Sequence, residues 1–314
     1  MGDRVFCIGE LLIDFICKDI GTTLVDGVNF EKKAGGAPAN VAAAVTKLGG
    51  KASFLGQVGN DSFGKFLVSI LKDVNIDVSM TKIEGNTTLA YVAIDKNGER
   101  DFEFKRGCDG DYNYSNIDLT RINSDIIHFG SATGLLEGEL KNTYFKLLEY
   151  AKKNDIYVSF DPNYRDALIT KDKLNQFIND SKEFIKVSDI IKLSDEEIKL
   201  ITGENDIESG VNYLHKLGAK VITVTLGSEG TLLSINGESI VVPSIKIKQV
   251  DSTGAGDAFV GAVLRQLSEI KDKKSINKEK WIEIIGFANK VGAITCTNYG
   301  AINSIPTLEE VNKA

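Results

Sequence analysis

The sequence predicts an α/β fold in three layers, a mainly parallel sheet flanked by helices, with a small β-sheet lid. Three observations carry that expectation. The run from Arg4 to Ile16 is almost continuously apolar, as a strand buried on both faces should be. From residue 126 onward, strand-like and helix-like stretches alternate, which is the signature of βα units. Between residues 79 and 104, short β-type runs follow one another without helices, which reads as an antiparallel flap.

Composition fits a single domain spanning 1–314. The chain has 314 residues, 42% of them apolar and 26% charged, as in an ordinary globular protein. No internal repeat or low-complexity tract stands out. The net charge of −7 argues against a nucleic-acid partner, which would need a basic patch. No apolar run reaches the length of a membrane span. Nothing resembling a signal peptide precedes the first strand, and Phe6 stands where a myristoylation signal needs Ser or Thr. The chain is therefore read as cytoplasmic. Its cysteines at 7, 17, 108 and 296 form no Cys-x-x-Cys pair, and Cys7 and Cys296 read as core. Its two histidines, His128 and His215, lie in apolar or amphipathic segments and read as structural.

In chain order, Asp14 interrupts the first strand near its C-terminal end, where open α/β sheets bind ligands. An edge or turn position is the plainer reading of such an Asp. Ala34-Gly35-Gly36-Ala37-Pro38-Ala39-Asn40 then opens a helix that Gly49-Gly50 closes. A strand is expected over 51–58 and a helix over 61–71. Short β runs follow at 79–83, 89–94 and 101–104, with a hairpin signal at Asn97-Gly98. Later come strands at 126–129, 156–160 and 189–193, a strand running into a glycine turn over 221–230, and helices at 137–154 and 281–295. Ser194-Asp195-Glu196-Glu197 has the spacing of a capping box, Ser at the N-cap and Glu three residues on. The charged run 271–280 reads as a solvated loop.

One stretch organises the rest. Val250-Asp251-Ser252-Thr253-Gly254-Ala255-Gly256-Asp257-Ala258-Phe259 joins a strand expected over 239–247 to a buried helix. Small residues at a helix N-terminus let free amides approach an anion closely. Asp257, in the first turn, either complements the helix dipole or acts as a base beside a phosphate site. No Gly-x-x-x-x-Gly-Lys-Ser/Thr is present, so this is not a P-loop.

Asp251-Ser252-Thr253-Gly254-Ala255-Gly256-Asp257-Ala258-Phe259 resembles the C-terminal signature of the ribokinase-like (PfkB) carbohydrate kinases, and the Gly35-to-Asn40 stretch their N-terminal one. The resemblance runs from about Arg4 to Ser304. It implies a three-layer ribokinase-like fold and an ATP-dependent sugar kinase. Asp257 would be the catalytic base, and Gly254, Ala255 and Gly256 the anion hole. Asp14, Gly35, Gly36 and Asn40 would hold the sugar. Ala37-Pro38 and Arg106-Gly107-Cys108-Asp109 resemble the fructokinase branch, with Cys108 where that branch has Ala, and imply that Arg106 reaches the sugar. Asp161-Pro162-Asn163-Tyr164-Arg165 does likewise for Asn163 and Arg165.

For the nucleotide the resemblance implies Ser194, Thr225, Gly227, Gly230 and Asn289, with Glu197 meeting Mg²⁺ through water. A K⁺ site would draw on Asp251, Thr253, Thr295, Asn298, Gly300 and Ser304. The implied lid, roughly 15–33 and 84–107, would close over the sugar and serve as a homodimer interface. The implied reaction is phosphorylation of D-fructose to D-fructose 6-phosphate. Kinases for 2-keto-3-deoxygluconate or ribose remain open, as does a non-catalytic sugar-binding relative.

Overall fold

The computed structural model describes residues 2–123 and 125–314; Met1 and Ser124 lie outside the described residues. Strands β1 (Arg4–Ile8), β2 (Leu12–Cys17) and β3 (Phe30–Gly35) come first, then α1 (Ala37–Lys47), β4 (Lys51–Val58) and α2 (Ser62–Asp73). Strands β5 (Thr81–Ile83), β6 (Leu89–Ile94), β7 (Arg100–Lys105) and β8 (Ile126–Phe129) follow. Next are α3 (Glu139–Lys153), β9 (Tyr157–Phe160), α4 (Leu174–Val187), β10 (Ile190–Ser194), α5 (Asp195–Thr202) and α6 (Ile207–Leu217). The hairpin β11 (Val221–Thr225), β12 (Thr231–Ile235) and strand β13 (Glu238–Val242) precede α7 (Ala255–Ser268), α8 (Lys278–Thr295) and α9 (Leu308–Lys313).

The expected architecture is present. A nine-stranded sheet runs β13-β12-β11-β10-β9-β8-β1-β4-β5, and a separate four-stranded sheet runs β3-β2-β6-β7. In the large sheet, only the β11–β12 and β12–β13 pairings are antiparallel. Strand residues alternate between its two faces. Val5, Cys7, Ala52 and Phe54 pack with Val41, Leu67, Val260, Trp281 and Ile284 from α1, α2, α7 and α8. Phe6, Ile8, Leu55 and Phe129 pack with Leu147, Phe184, Ile198 and Leu214 from α3 to α6. That period of two, with both faces covered, produces the three layers.

Several expectations change. The apolar run 4–16 is two strands in two sheets. Gly9 turns the chain at φ 144°, and a side chain there would collide with Ser131 and Pro38. Asp14 therefore lies on β2 of the small sheet, not beyond a central strand. The run 79–83 narrows to β5 and joins the edge of the large sheet beside β4, not the flap. Within the flap, β2 pairs with β6 in parallel, so that sheet is mixed. The strand expected over 239–247 ends at Val242. In the run 271–280, Lys273 is buried and paired with Asp3. Cys296 is only half-buried, whereas Cys7 is in the core. All four cysteines are free. No helix among the described residues is long and apolar enough to cross a membrane.

The two signature helices, α1 and α7, touch through small residues. Ala42, Ala43 and Ala44 of α1 and Ala258 and Ala262 of α7 are fully buried. A Cβ at Gly261 would lie 2.4 Å from the Ala44 Cβ and 2.7 Å from the Val41 carbonyl oxygen. Backbone and a methyl group leave no flexible atom to yield. Gly261→Val should therefore cost about 2–3 kcal/mol by overpacking, read as a lowered urea or thermal midpoint. An unchanged midpoint would mean that the helices part freely.

Candidate active site

The site lies where the parallel strands of the large sheet end. Strands β9, β10 and β11 deliver Asp161, Lys192 with Ser194, and Thr225 at or near their C-terminal ends. Helix α7 points its N-terminus at the same place. Gly254 caps it at φ 76°, and a Cβ there would press on Ala301 at 2.9 Å. Among the three amides expected to bind an anion, that of Ala255 donates to Ser252 O, and Ala258 donates to Gly254 O. The amides of Gly254, Gly256 and Asp257 have no backbone acceptor among the described residues and are the ones available to an anion.

Asn40 and Asp257 are brought together across the α1–α7 contact: Asn40 Nδ2 donates to Asp257 Oδ2 at 2.8 Å. Asn40 Oδ1 is buried and has no hydrogen-bond partner among the described residues. A buried acceptor left unpaired is costly, so this oxygen suits a ligand hydroxyl. Burial raises the Asp257 carboxyl to about 6, and nearby Asp161 pushes the same way. The Asn40 hydrogen bond and the positive Arg165 and Lys192 oppose that rise. Asp257 is thus ionised at neutral pH yet more basic than a surface Asp, as a proton acceptor should be.

Gly35 and Gly36 occupy the crossing of β3 and α1 with the 10–14 segment. A Cβ at residue 35 would lie 2.0 Å from Asp14 Oδ2, and one at residue 36 would lie 2.4 Å from Glu10 O. The Asp14 carboxyl is raised to about 6 by burial, against the pull of Lys33. Lys33 pairs with Asp14 in the β2–β3 register and reaches within 4.0 Å of a Cβ position at Gly300.

Arg106 is held elsewhere. Its guanidinium donates to the Glu137 and Thr133 carbonyls and pairs with Asp109 at 3.5 Å. Asp109 accepts from Thr88 and, at 2.8 Å, from Thr133. Ser131 Oγ bridges Thr133 and Glu10, and Glu10 also accepts the Ala37 amide at 3.1 Å. This buried chain ties the stems of β6 and β7 to the start of α1; the structure does not bring Arg106 to the Asn40–Asp257 pair.

Other expected side chains are already occupied. Asn163, at φ 47°, donates to Gly130 O at 2.7 Å, while its amide is capped by Asp161. Arg165 is exposed and faces Asp257 only through its charge. The capping box at Ser194 and Glu197 is formed. Glu197 Oε2 accepts the Ser194 amide at 2.7 Å and Oε1 the Tyr164 amide at 2.8 Å, so each oxygen already holds one backbone donor. Thr225 donates to Leu193 O. Gly227 and Gly230 lie in the β11–β12 hairpin turn, and a Cβ at residue 230 would strike Val242 O. Asn289 accepts from Thr231 and donates to Val242 O and Pro243 O, lashing α8 to the hairpin.

Of the residues expected at the K⁺ site, Asp251, Thr253, Gly300 and Ser304 are linked by hydrogen bonds. Asp251 accepts from Thr253 and from the Gly300 amide, and Ser304 donates to the Gly300 carbonyl. Burial of Asp251 is outweighed by the Gly300 and Thr253 hydrogen bonds, which hold its carboxyl below the usual range. Thr295 donates its hydroxyl inward to Val291 O and accepts the Asn298 amide on its own carbonyl, while the Asn298 side chain donates to Thr297.

Sequence reading missed Lys192, whose Nζ lies 3.0 Å from Asp161 Oδ2 and 3.8 Å from Glu197 Oε2. It also missed Glu10, raised by burial to about 7 against its hydrogen bonds from Ser131 and Ala37. A buried carboxyl with a raised value favours the fold while protonated. That contribution is present below the unfolded value near 4.5 and is lost as pH climbs through about 7. Between about pH 5 and pH 8, wild type should lose on the order of 2 kcal/mol relative to Glu10→Gln. Urea unfolding across that range checks it, and parallel pH profiles would refute it.

The model of the pfkB family carbohydrate kinases matches residues 3–308. Fructokinase-1 of Zea mays is 38% identical over 319 residues, covering 98% of this chain and 96% of that protein. The crystal structure of fructokinase with bound ATP from Xylella fastidiosa superposes with a TM-score of 0.90 at 27% identity, covering 100% of this chain and 98% of that one. A fructokinase double mutant from Vibrio cholerae O395, in a fructose-, ADP- and potassium-bound form, superposes with a TM-score of 0.87 at 28% identity. It covers 100% of this chain and 99% of its own. Signature geometry, full-length match and fold agree: the chain belongs to the pfkB family of carbohydrate kinases.

Proposed function

We propose that the chain transfers the γ-phosphoryl group of ATP to D-fructose, giving D-fructose 6-phosphate and ADP. The observation that carries this reading is the Asn40–Asp257 pair set against the open amides of α7. The sugar oxygen attacks the γ-phosphorus, the bond from that phosphorus to the β–γ bridging oxygen breaks, and ADP leaves with the electron pair. Asp257 takes the hydroxyl proton. The Gly254, Gly256 and Asp257 amides meet the developing negative charge. Asn40 holds the base and offers Oδ1 to a sugar hydroxyl, and Asp14 is placed to accept from another. Relatives named as fructokinases over nearly the full chain support fructose as the sugar.

Among the described residues no cluster of three or more His, Cys, Asp or Glu could cage a metal ion. That suits Mg²⁺, which keeps most of its water and binds chiefly to phosphates, with Glu197 behind a water. Bound there, it neutralises phosphate charge. The Asp251–Gly300–Ser304 group, which brings a carboxylate and the Gly300 carbonyl into one loop, supports a K⁺ site. Four free cysteines suit a reducing compartment, and we place the protein in the cytoplasm.

We read the small sheet as the core of a lid, roughly 15–33 and 84–107, that excludes water from the phosphoryl group. Ile20, Val25 and Val28 on its β2–β3 connection are 101%, 90% and 81% exposed, which supports a homodimer through the lid. Replacing all three by Ser should turn a dimer into a monomer in sedimentation; a wild-type monomer overturns the dimer.

The central test is coupled ADP release with MgATP and a panel of sugars. Fructose should lead the panel by kcat/KM, and Asp257→Asn should lower kcat by roughly 10³-fold or more. A different leading sugar with a dead Asp257→Asn would correct the substrate and keep the mechanism. An active Asp257→Asn would remove the base.

A further inference from the structure

Lys192 has no role in the scheme above, yet it is the most deeply placed cation at the site. It sits on β10 between Ile191 and Leu193, both fully buried, and its own side chain is only 14% exposed. An ammonium so placed is costly unless anions surround it. Here Asp161 Oδ2 lies at 3.0 Å and Glu197 Oε2 at 3.8 Å, and between them they hold it firmly charged against the cost of burial. Its Nζ would stand 3.7 Å from a Cβ at Gly256. A fixed positive charge therefore sits directly beneath the turn that receives phosphate.

The charged groups facing Asp257 are few. Asp161 comes from the end of β9, Arg165 from the loop after it, and Lys192 from β10; α1 contributes the neutral Asn40. Glu197 of α5 lies 3.8 Å from Lys192. Three carboxylates and two cations share this volume. Remove Lys192, and two net negative charges remain where a polyanion must bind.

We propose that Lys192 is a positioning residue for phosphoryl transfer: it pins Asp161 and Glu197 beneath the Gly254–Gly256 turn and screens both Asp257 and the incoming phosphates from them. The inference rests on the sugar-kinase reading given above. It deepens that reading by naming the buried residue that lets a base and a polyanion share one pocket. Lys192 acts through charge and through its two carboxylate partners; it transfers no proton. Loss of the charge should weaken nucleotide binding and chemistry together while leaving the sugar's contacts, on α1 and β2, in place.

The test compares Lys192→Met, Lys192→Arg and Asp161→Asn with wild type in steady-state kinetics across pH. Lys192→Met should lower kcat roughly ten-fold or more near neutral pH and raise KM for ATP, with KM for the sugar within about two-fold. Its acid limb of kcat/KM should move up by about half a pH unit or more, because Asp257 loses a neighbouring cation. Asp161→Asn should move the same limb down, because Asp257 loses a neighbouring anion. Lys192→Arg should keep the wild-type limb. A packing defect predicts no such opposed movement. If both limbs stay put, or move the same way, the inference is overturned while the kinase reading stands. Should Lys192→Met fail to fold, Asp161→Asn decides: a lowered limb supports the inference and an unmoved one overturns it. If another sugar replaces fructose, the same profiles are read on that sugar. A wild type that phosphorylates no sugar overturns both readings.

Discussion

The hydrogen bond from Asn40 to Asp257 is the contact on which the site depends. It joins the first turn of α1 to the first turn of α7, and so fixes two signature segments in one frame. The bond can form only because the two helices approach as closely as their backbones allow, across Gly261 and a row of alanines. Packing here is therefore part of the chemistry. The same Asn40 that orients the base keeps its second polar atom unpaired and buried. Protein interiors rarely tolerate that, and its natural remedy is a hydroxyl supplied from outside.

Around that bond the protein solves an electrostatic difficulty. The chain carries a net charge of −7, and its ligand, a nucleoside triphosphate, is strongly anionic. Attraction has to be local. Lys192 lies below the helix N-terminus, Arg165 faces the base, and Lys33 stands between Asp14 and the Gly300 loop. The free amides of α7 add positive potential without a side chain. Burial raises Asp257 while these cations restrain the rise, leaving it ionised yet still inclined to take a proton.

Much of this was legible in the sequence because the relevant signals are local. Glycines and Asp257 at a strand-to-helix junction, Pro38 and Gly49 around α1, and the Ser194–Glu197 spacing all declare themselves within ten residues. What escaped is non-local. An apolar run cannot reveal that Gly9 splits it between two sheets, since both halves are equally apolar. Lys192 reads as a blemish in Ile190-Ile191-Lys192-Leu193 until Asp161 appears beside it from the next strand. Asn163 and Asn289 look like free polar groups in sequence, yet in the fold they spend their amides on backbone carbonyls. Arg106 is likewise drawn into the Asp109 and Thr133 network, which only the packed stems of β6 and β7 create.

The two residues joined by the central hydrogen bond stand 217 positions apart along the chain. Contacts of such span are late and slow to form, because a long loop must close before they can stabilise anything. During synthesis the helix bearing Asn40 emerges early and must wait for the one bearing Asp257. Until then α1 exposes an alanine-rich face and a polar side chain with nothing to grip. A truncated or partly made chain therefore has no base in place and cannot spend ATP. Catalytic competence in this molecule is a late event in its own biogenesis.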